Sequence, residues 1–300
     1  MGEIAPRSRS CDALPDQGTR RKPGTSRRGD RRDRDGAIAA RTLSTMNLVE
    51  IFASAQGEGL HVGASTIFVR LGECDLRCSW CDSPGTWLPA KRWRYETGPG
   101  TADFVEHANP ASLSQVEDAL EQLDAKSYRF VSVTGGEPLL QVESVEAIAR
   151  IVREMGSRTL LETHGLAVGA MERVAPLIDV VSMDWKLAKD VRWAAEPEAG
   201  EDVSFDSRHE AFLIAALQHC EVYVKVVVTA QTTTEELKSV ARQVASVDAS
   251  VPLVLQPVTP MAKVREAPTA SQMLPHMRAC EGILKDVRLI PQTHKVYGAL

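Results

Sequence analysis

Three cysteines, Cys74, Cys78 and Cys81, fall within eight residues in the spacing C-x3-C-x2-C. They follow Thr66-Ile67-Phe68-Val69-Arg70-Leu71, a short β-branched and aromatic run that reads as a buried strand. Three thiols therefore leave one strand end together, on a loop short enough to wrap one metal centre. A closed zinc or iron–sulfur site wants four protein ligands, so three leave a position open. Structural zinc, with His61 or His107 as fourth ligand, is one reading, weakened by the absence of a second C-x2-C. A disulfide is weaker still, since three clustered thiols do not pair off and no signal peptide points to an oxidising compartment. The spacing favours a [4Fe–4S] cluster held through three irons, the fourth being free to bind a small molecule.

Such a loop needs a scaffold, and the pattern from residue 47 onward supplies one. Extended segments are expected at 48–53 and 66–71, joined by the glycine-rich Gln56-Gly57-Glu58-Gly59 turn, then at 129–133, 158–163, 180–185, 221–228, 252–258 and 287–290. Helical spacing appears between them at 112–125, 142–155, 168–174, 210–218, 234–247 and 270–284, the first capped by Ser112 or Ser114. Residues 84–111, rich in Pro, Gly, Trp and charge, read as a long inserted loop that covers the site, and the polar interval 189–207 as a second one. Repeated βα units predict an α/β fold with a parallel curled sheet, a partial (βα)6-type barrel. In that architecture sites gather at the carboxyl ends of strands. The unusual residues comply: the cysteines, Thr134-Gly135-Gly136-Glu137-Pro138, Glu162-Thr163-His164-Gly165, Ser182-Met183-Asp184-Trp185-Lys186 and Gln256-Pro257 all fall at expected strand ends.

The 300 residues carry a net charge of −5, which argues against a nucleic-acid surface, and no apolar run approaches the roughly 18 residues of a membrane span. A cytoplasmic, reducing setting is expected. Residues 1–45 differ from the rest, with Arg20-Arg21-Lys22, Arg27-Arg28 and Arg31-Arg32 interleaved with Gly, Ser, Pro and Asp. They are expected to be a disordered basic extension ahead of Met46, the acids speaking against a transit peptide. Cys220 and Cys280 lie in apolar patterns and read as buried inert thiols.

The cysteine loop followed by Thr134-Gly135-Gly136-Glu137-Pro138 resembles the radical S-adenosylmethionine (SAM) superfamily. Within it, Ala55-Gln56-Gly57-Glu58-Gly59, Arg70, Cys81-Asp82-Ser83 and the terminal Pro291-Gln292-Thr293-His294-Lys295 are similar to the 7-carboxy-7-deazaguanine synthases, over roughly residues 46–300. The resemblance implies a radical SAM core in which Cys74, Cys78 and Cys81 hold the [4Fe–4S] cluster and the open iron chelates SAM. Gly135, Gly136 and Glu137 would receive the SAM ammonium, Ser182, Asp184 and Lys186 its carboxylate and ribose, and Gln256, Pro257, Val258 and Thr259 its adenine. One electron would cleave SAM to a 5′-deoxyadenosyl radical.

The implied substrate is 6-carboxy-5,6,7,8-tetrahydropterin, converted to 7-carboxy-7-deazaguanine by radical ring contraction with loss of ammonia. Arg70 would clamp its carboxylate bidentately, while Ala55, Gln56, Gly57, Glu58, Thr134 and His294 would read the rest, with the terminal Leu300 nearby. Mg2+ would bind Ser83, a position more usually threonine, and His164 stands where asparagine is expected. A hydrogen-bonded strand-end histidine is the plainer role for it. Also implied are a homodimer and a one-electron donor such as flavodoxin or ferredoxin. Two other readings stay open: a glycyl-radical-enzyme activase sharing the cysteine and glycine motifs, and a zinc-stabilised binding module.

Overall fold

The computed structural model describes residues 45–195 and 204–298. The extension before residue 45, part of the 189–207 interval, and Leu300 lie outside the described residues. Ten strands form one sheet: β1 (Leu48–Ala55), β2 (Ser65–Leu71), β3 (Arg92–Glu96), β4 (Phe104–Ala108), β5 (Phe130–Gly135), β6 (Thr159–Thr163), β7 (Val180–Asp184), β8 (Glu221–Val228), β9 (Leu253–Pro257) and β10 (Val287–Leu289). Their order is β10-β9-β8-β7-β6-β5-β2-β1-β3-β4. From β2 to β10 every neighbouring pair is parallel, and β1 joins β2 antiparallel. The helices are α1 (Leu113–Gln122), α2 (Val142–Glu154), α3 (Val168–Val174), α4 (Phe205–Leu217), α5 (Thr234–Asp248), α6 (Ala270–Glu281) and a terminal turn α7 (His294–Tyr297). No helix among the described residues is long and apolar enough to cross a membrane.

Local chemistry starts these helices where the sequence marks them. Ser112 and Gln115 form a reciprocal capping box at α1, Thr233 and Glu236 at α5, and Thr269 and Gln272 at α6. The parallel strands β5 to β9 are buried on both faces and so read as near-continuous apolar runs. Their alternation still sorts them. Val131, Leu161, Val181, Val224 and Leu255 join the large core beneath the helices. Phe130, Leu160, Val180, Tyr223 and Val254 point the other way and meet Leu60, Ala64 and Ile290 in a second cluster, around which the sheet curls. The turn after β1 thus plugs one end of the partial barrel.

Residues 84–111 differ from expectation. Only the first part stays at the site, where Thr86 and Trp87 line the cavity; the rest forms the β3–β4 hairpin, which extends the sheet beyond β1. Trp93 is buried and stacks on His107 with ring centroids 4.8 Å apart, while Arg92 pairs with Glu106 on the exposed face at 2.8 Å. The two-residue period was present but short and flanked by Pro and Gly. The 189–207 interval also contains structure. Val191–Trp193 pairs antiparallel with Leu76–Cys78 and pins the cysteine loop, and α4 begins at Phe205, capped by Ser204, five residues before the sequence pattern places it.

Gly59 tests the plug. Its φ is +65°, and a Cβ there would stand 2.4 Å from the Tyr223 hydroxyl, whereas Gly63, at φ +84°, faces open space. Denaturant unfolding should therefore show Gly59→Ala less stable than Gly63→Ala by roughly 2 kcal/mol, the overpacking added to a shared left-handed backbone penalty. Equal losses would mean that the turn does not plug the barrel.

Candidate active site

The inward face of each parallel strand changes character along its length. Two residues beyond the apolar cluster come Ser132, Glu162, Ser182, Lys225 and Gln256, and two further Thr134, His164, Asp184, Val227 and Val258. All of these except Ser132 line a cavity of about 440 Å³ at the carboxyl ends of the strands, together with Phe68 and Arg70 of β2. The three cysteines, Ala55, Gln56, Gly57, Glu58, Ser83, Gly135, Gly136, Lys186, Thr259 and His294 also line it, as do Phe52, Trp87 and Gln292 among others.

Backbone contact puts the thiols there. Gly136 N–H donates to Leu71 O at 3.1 Å and Glu137 N–H to Glu73 O at 2.8 Å. A Cβ on Gly136 would sit 2.1 Å from Glu73 O and 2.8 Å from the Cys74 Cβ, so only glycine lets the loop close against β5. His164 fastens the same loop: Leu166 N–H donates to its Nδ1, which leaves the proton on Nε2, 2.9 Å from Asp75 Oδ1. Burial alone would lower the His164 pKa, but Glu137 and Asp75 raise it. It is the hydrogen-bonded strand-end histidine of the plainer reading.

Glu137 departs from its expected role. It is fully buried behind the glycines, outside the cavity wall, and its carboxylate accepts from Leu139 N, Thr163 Oγ1 and His164 N at 2.8–3.0 Å. A buried carboxylate needs such partners, and these brace the turn after β5. Pro257 likewise stands outside the lining, between Gln256 and Val258, because its side of β9 faces away.

The donor set fits an iron–sulfur cluster. Leu76 N–H donates to Cys74 Sγ at 3.4 Å and the Trp87 indole N–H to Cys81 Sγ at 3.2 Å, contacts that stabilise ligating thiolates. Burial pushes the free Cys74 thiol up to about 12 and raises Cys78, so these sulfurs carry protons until a metal replaces them. Neither histidine that the zinc reading calls on reaches the thiols. His61 packs on Phe130 at 4.7 Å and His107 stacks on Trp93, both away from the cavity wall. Burial raises Cys220 to about 12 and Cys280 to about 11, consistent with inert thiols. Gln256 Oε1 is buried in the cavity wall without a hydrogen bond, an acceptor suited to an amine, whereas Asp184 Oδ1 has the Lys225 ammonium 3.1 Å away.

The opposite wall is polar and tightly held. Gln56 donates to Glu162 Oε1 at 2.9 Å and accepts from Glu58 N–H at 3.1 Å, while Ser132 donates to Glu162 at 2.7 Å. Arg70 is oriented by Glu50, which accepts from its Nε at 3.0 Å. His294 reaches the cavity because Thr293 N–H bonds Gly57 O at 2.9 Å, and a Cβ on Gly57 would meet the His294 ring at 2.2 Å. Ser83 donates to Asp82 at 3.0 Å. Burial would raise the Glu58 carboxyl, but the Lys225 ammonium and hydrogen bonds from Lys225 and Gln292 carry it down to about 2. Lys225 falls in none of the stretches the sequence marks, and Glu162 is marked only as part of the Glu162-Thr163-His164-Gly165 strand end, without a role. The available signal is position along the strand, since each stands two residues beyond an inward apolar residue.

The chain matches the radical SAM superfamily over residues 69–206. It is 36% identical over 265 residues to the 7-carboxy-7-deazaguanine synthase of Thermococcus kodakarensis, covering 84% of this chain and 98% of that one. The synthase of Geobacter sulfurreducens is 33% identical over 257 residues, with 84% and 97% covered. Among solved structures, QueE from Escherichia coli matches with a TM-score of 0.54 and 18% identity over 86% of this chain and 98% of that one, a likeness of fold.

Two outcomes follow from these contacts. Trp87→Phe removes an N–H···S bond from Cys81, so an EPR-monitored redox titration should find the cluster potential more negative than in the parent; an unchanged potential would show that the contact does not reach the cluster. Glu58, depressed from 4.5 to about 2, contributes stability that is complete above pH 4.5 and is lost as pH falls toward 2. Acid unfolding of Glu58→Gln should accordingly be flatter between those values than that of the parent.

Proposed function

The chain belongs to the 7-carboxy-7-deazaguanine synthase family of radical SAM enzymes, and from that membership we propose that it contracts 6-carboxy-5,6,7,8-tetrahydropterin to 7-carboxy-7-deazaguanine, releasing ammonia. Membership makes it a radical SAM lyase of 7-deazapurine biosynthesis with a [4Fe–4S] cluster, SAM, a small-molecule substrate and a reductant. It also sets aside the activase reading.

One observation carries the substrate assignment. Arg70, held by Glu50, lines the same cavity as the three thiols, beside a wall rich in hydrogen-bonding groups. A flat, anionic heterocycle needs both features: a guanidinium for its carboxylate, and side chains to read its edge. We assign the first to Arg70 and the second to Gln56, Glu58, Thr134 and Glu162, with Ala55, the Gly57 backbone and His294 closing the pocket. Glu58, kept ionised by Lys225, would accept from ring N–H groups, and Gln56 would be locked in orientation by its bonds to Glu162 and the Glu58 backbone.

For SAM, Gly135 and Gly136 offer backbone to the ammonium, Lys186 a cation to the carboxylate, Asp184 and Ser182 acceptors to the ribose, and Gln256, Val258 and Thr259 the adenine border. When bound, the cluster supplies the electron and SAM the carbon radical that removes a hydrogen atom from the substrate carbon bearing the carboxylate. The protein's task is to hold that carbon still and keep water out, which the enclosing strands, the Phe52 and Phe68 side chains and the terminal turn serve.

Three finer points belong to the same proposal. Mg2+ would sit at Ser83, whose hydroxyl is a hard oxygen donor beside Asp82. The electron would come from a small carrier such as flavodoxin or ferredoxin, and the working unit would be a homodimer.

Anaerobically reconstituted protein given SAM, dithionite and the carboxypterin should yield 7-carboxy-7-deazaguanine by mass spectrometry. Arg70→Ala should raise KM for the pterin at least roughly tenfold while leaving SAM affinity unchanged, the loss of a charge-assisted pair. Binding and cleavage of SAM without turnover of the pterin would overturn the substrate assignment.

A further inference from the structure

Lys225 lies in none of the motifs that mark the site, yet it touches both of its walls. The parallel register sets it level with Asp184 on β7. Its side chain is 7% exposed, so protein groups have to satisfy the ammonium. Two carboxylates do so from different elements. Glu58, on the turn between β1 and β2, accepts a hydrogen bond from Nζ, and Asp184 Oδ1 stands 3.1 Å away. Each acid has a further partner: Gln292 of the terminal segment donates to Glu58 at 2.6 Å, and Lys186 to Asp184 at 2.8 Å. The result is a line of alternating charge, Glu58, Lys225, Asp184, Lys186, with all four residues in the cavity wall.

Glu58 belongs to the wall assigned above to the pterin, and Asp184 and Lys186 to the one assigned to SAM; the inference rests on that assignment. We propose that Lys225 is a positioning residue that holds both carboxylates at once, so that the substrate wall and the SAM wall are set by one shared ammonium. Without it the two carboxylates, with that of Glu162 also near, would face each other with Lys186 as the remaining cation beside Asp184, and one would turn away or take up a proton. Either change spoils an acceptor that a ligand needs. An ion pair serving stability alone would leave the ligands' affinities untouched, whereas a shared anchor ties the two together.

The test uses the anaerobically reconstituted holoenzyme with iron and sulfide content matched between variants. Dissociation constants for SAM and, separately, for the carboxypterin are measured by equilibrium binding. Lys225→Met should weaken both by roughly tenfold or more, the scale of a lost charge-assisted hydrogen bond. Glu58→Gln should weaken the pterin alone, Asp184→Asn should weaken SAM alone, and Lys225→Arg should restore most of both affinities. Lys225→Gln, which keeps one donor, is measured alongside in case the methionine variant does not fold, and the same paired loss is expected of it. A loss confined to one ligand, or to neither, in a folded and cluster-loaded variant would overturn the proposal. If the parent protein binds SAM but not the carboxypterin, the substrate assignment fails instead, and a normal SAM affinity in the Lys225 variants would then still refute the anchoring of Asp184.

Discussion

A β-strand has two faces and a period of two residues, and this molecule uses one face of one sheet for two purposes. On each strand the inward face that starts as Phe130, Leu160, Val180, Tyr223 or Val254 continues two residues on as Ser132, Glu162, Ser182, Lys225 or Gln256. The lower rungs make a dry plug and the upper ones a polar cavity. Because the register is fixed by burial on both sides, a slip of one residue would send the polar set into the helix-covered core. The strand-borne polar side chains therefore share the register of the core beneath them, which suits the proposed radical chemistry.

The metal-binding loop depends on a second constraint, the absence of side chains at Gly135 and Gly136. The loop is held to the sheet by backbone hydrogen bonds, by His164 through Asp75, and by the short ribbon with Val191–Trp193. None of these uses the thiols, which stay available to a cluster. The two walls are joined by charge. Two buried bases, Lys186 and Lys225, and two half-buried acids, Glu58 and Asp184, compensate one another across the cavity.

Much of this was legible from residues alone. The cysteine spacing, the strand ends and the capping boxes at Ser112, Thr233 and Thr269 follow from local chemistry, and the structure places the cysteine loop and the expected strand ends around one cavity. What escaped was set by distant contacts. The β3–β4 hairpin looked like a loop because its alternation spans five residues between Pro and Gly, and only docking on β1 makes it a strand. Glu137 looked like a ligand contact because it sits beside the glycines, but the chain turns at that point and buries it. Lys225 looked like one charge in an apolar strand, and its role depends on Glu58, 167 residues away. Counting rungs inward from the apolar plug would have exposed both Lys225 and Glu162.

The proposed cluster, held by three thiolates with an iron left for SAM, is tested most directly by the EPR spectrum of the reduced, reconstituted protein with and without SAM. The spectrum should be that of a single reduced [4Fe–4S] centre, and addition of SAM should change its g-values while the iron content stays the same. A protein that binds no iron under anaerobic conditions, or a cluster whose spectrum is indifferent to SAM, would contradict it.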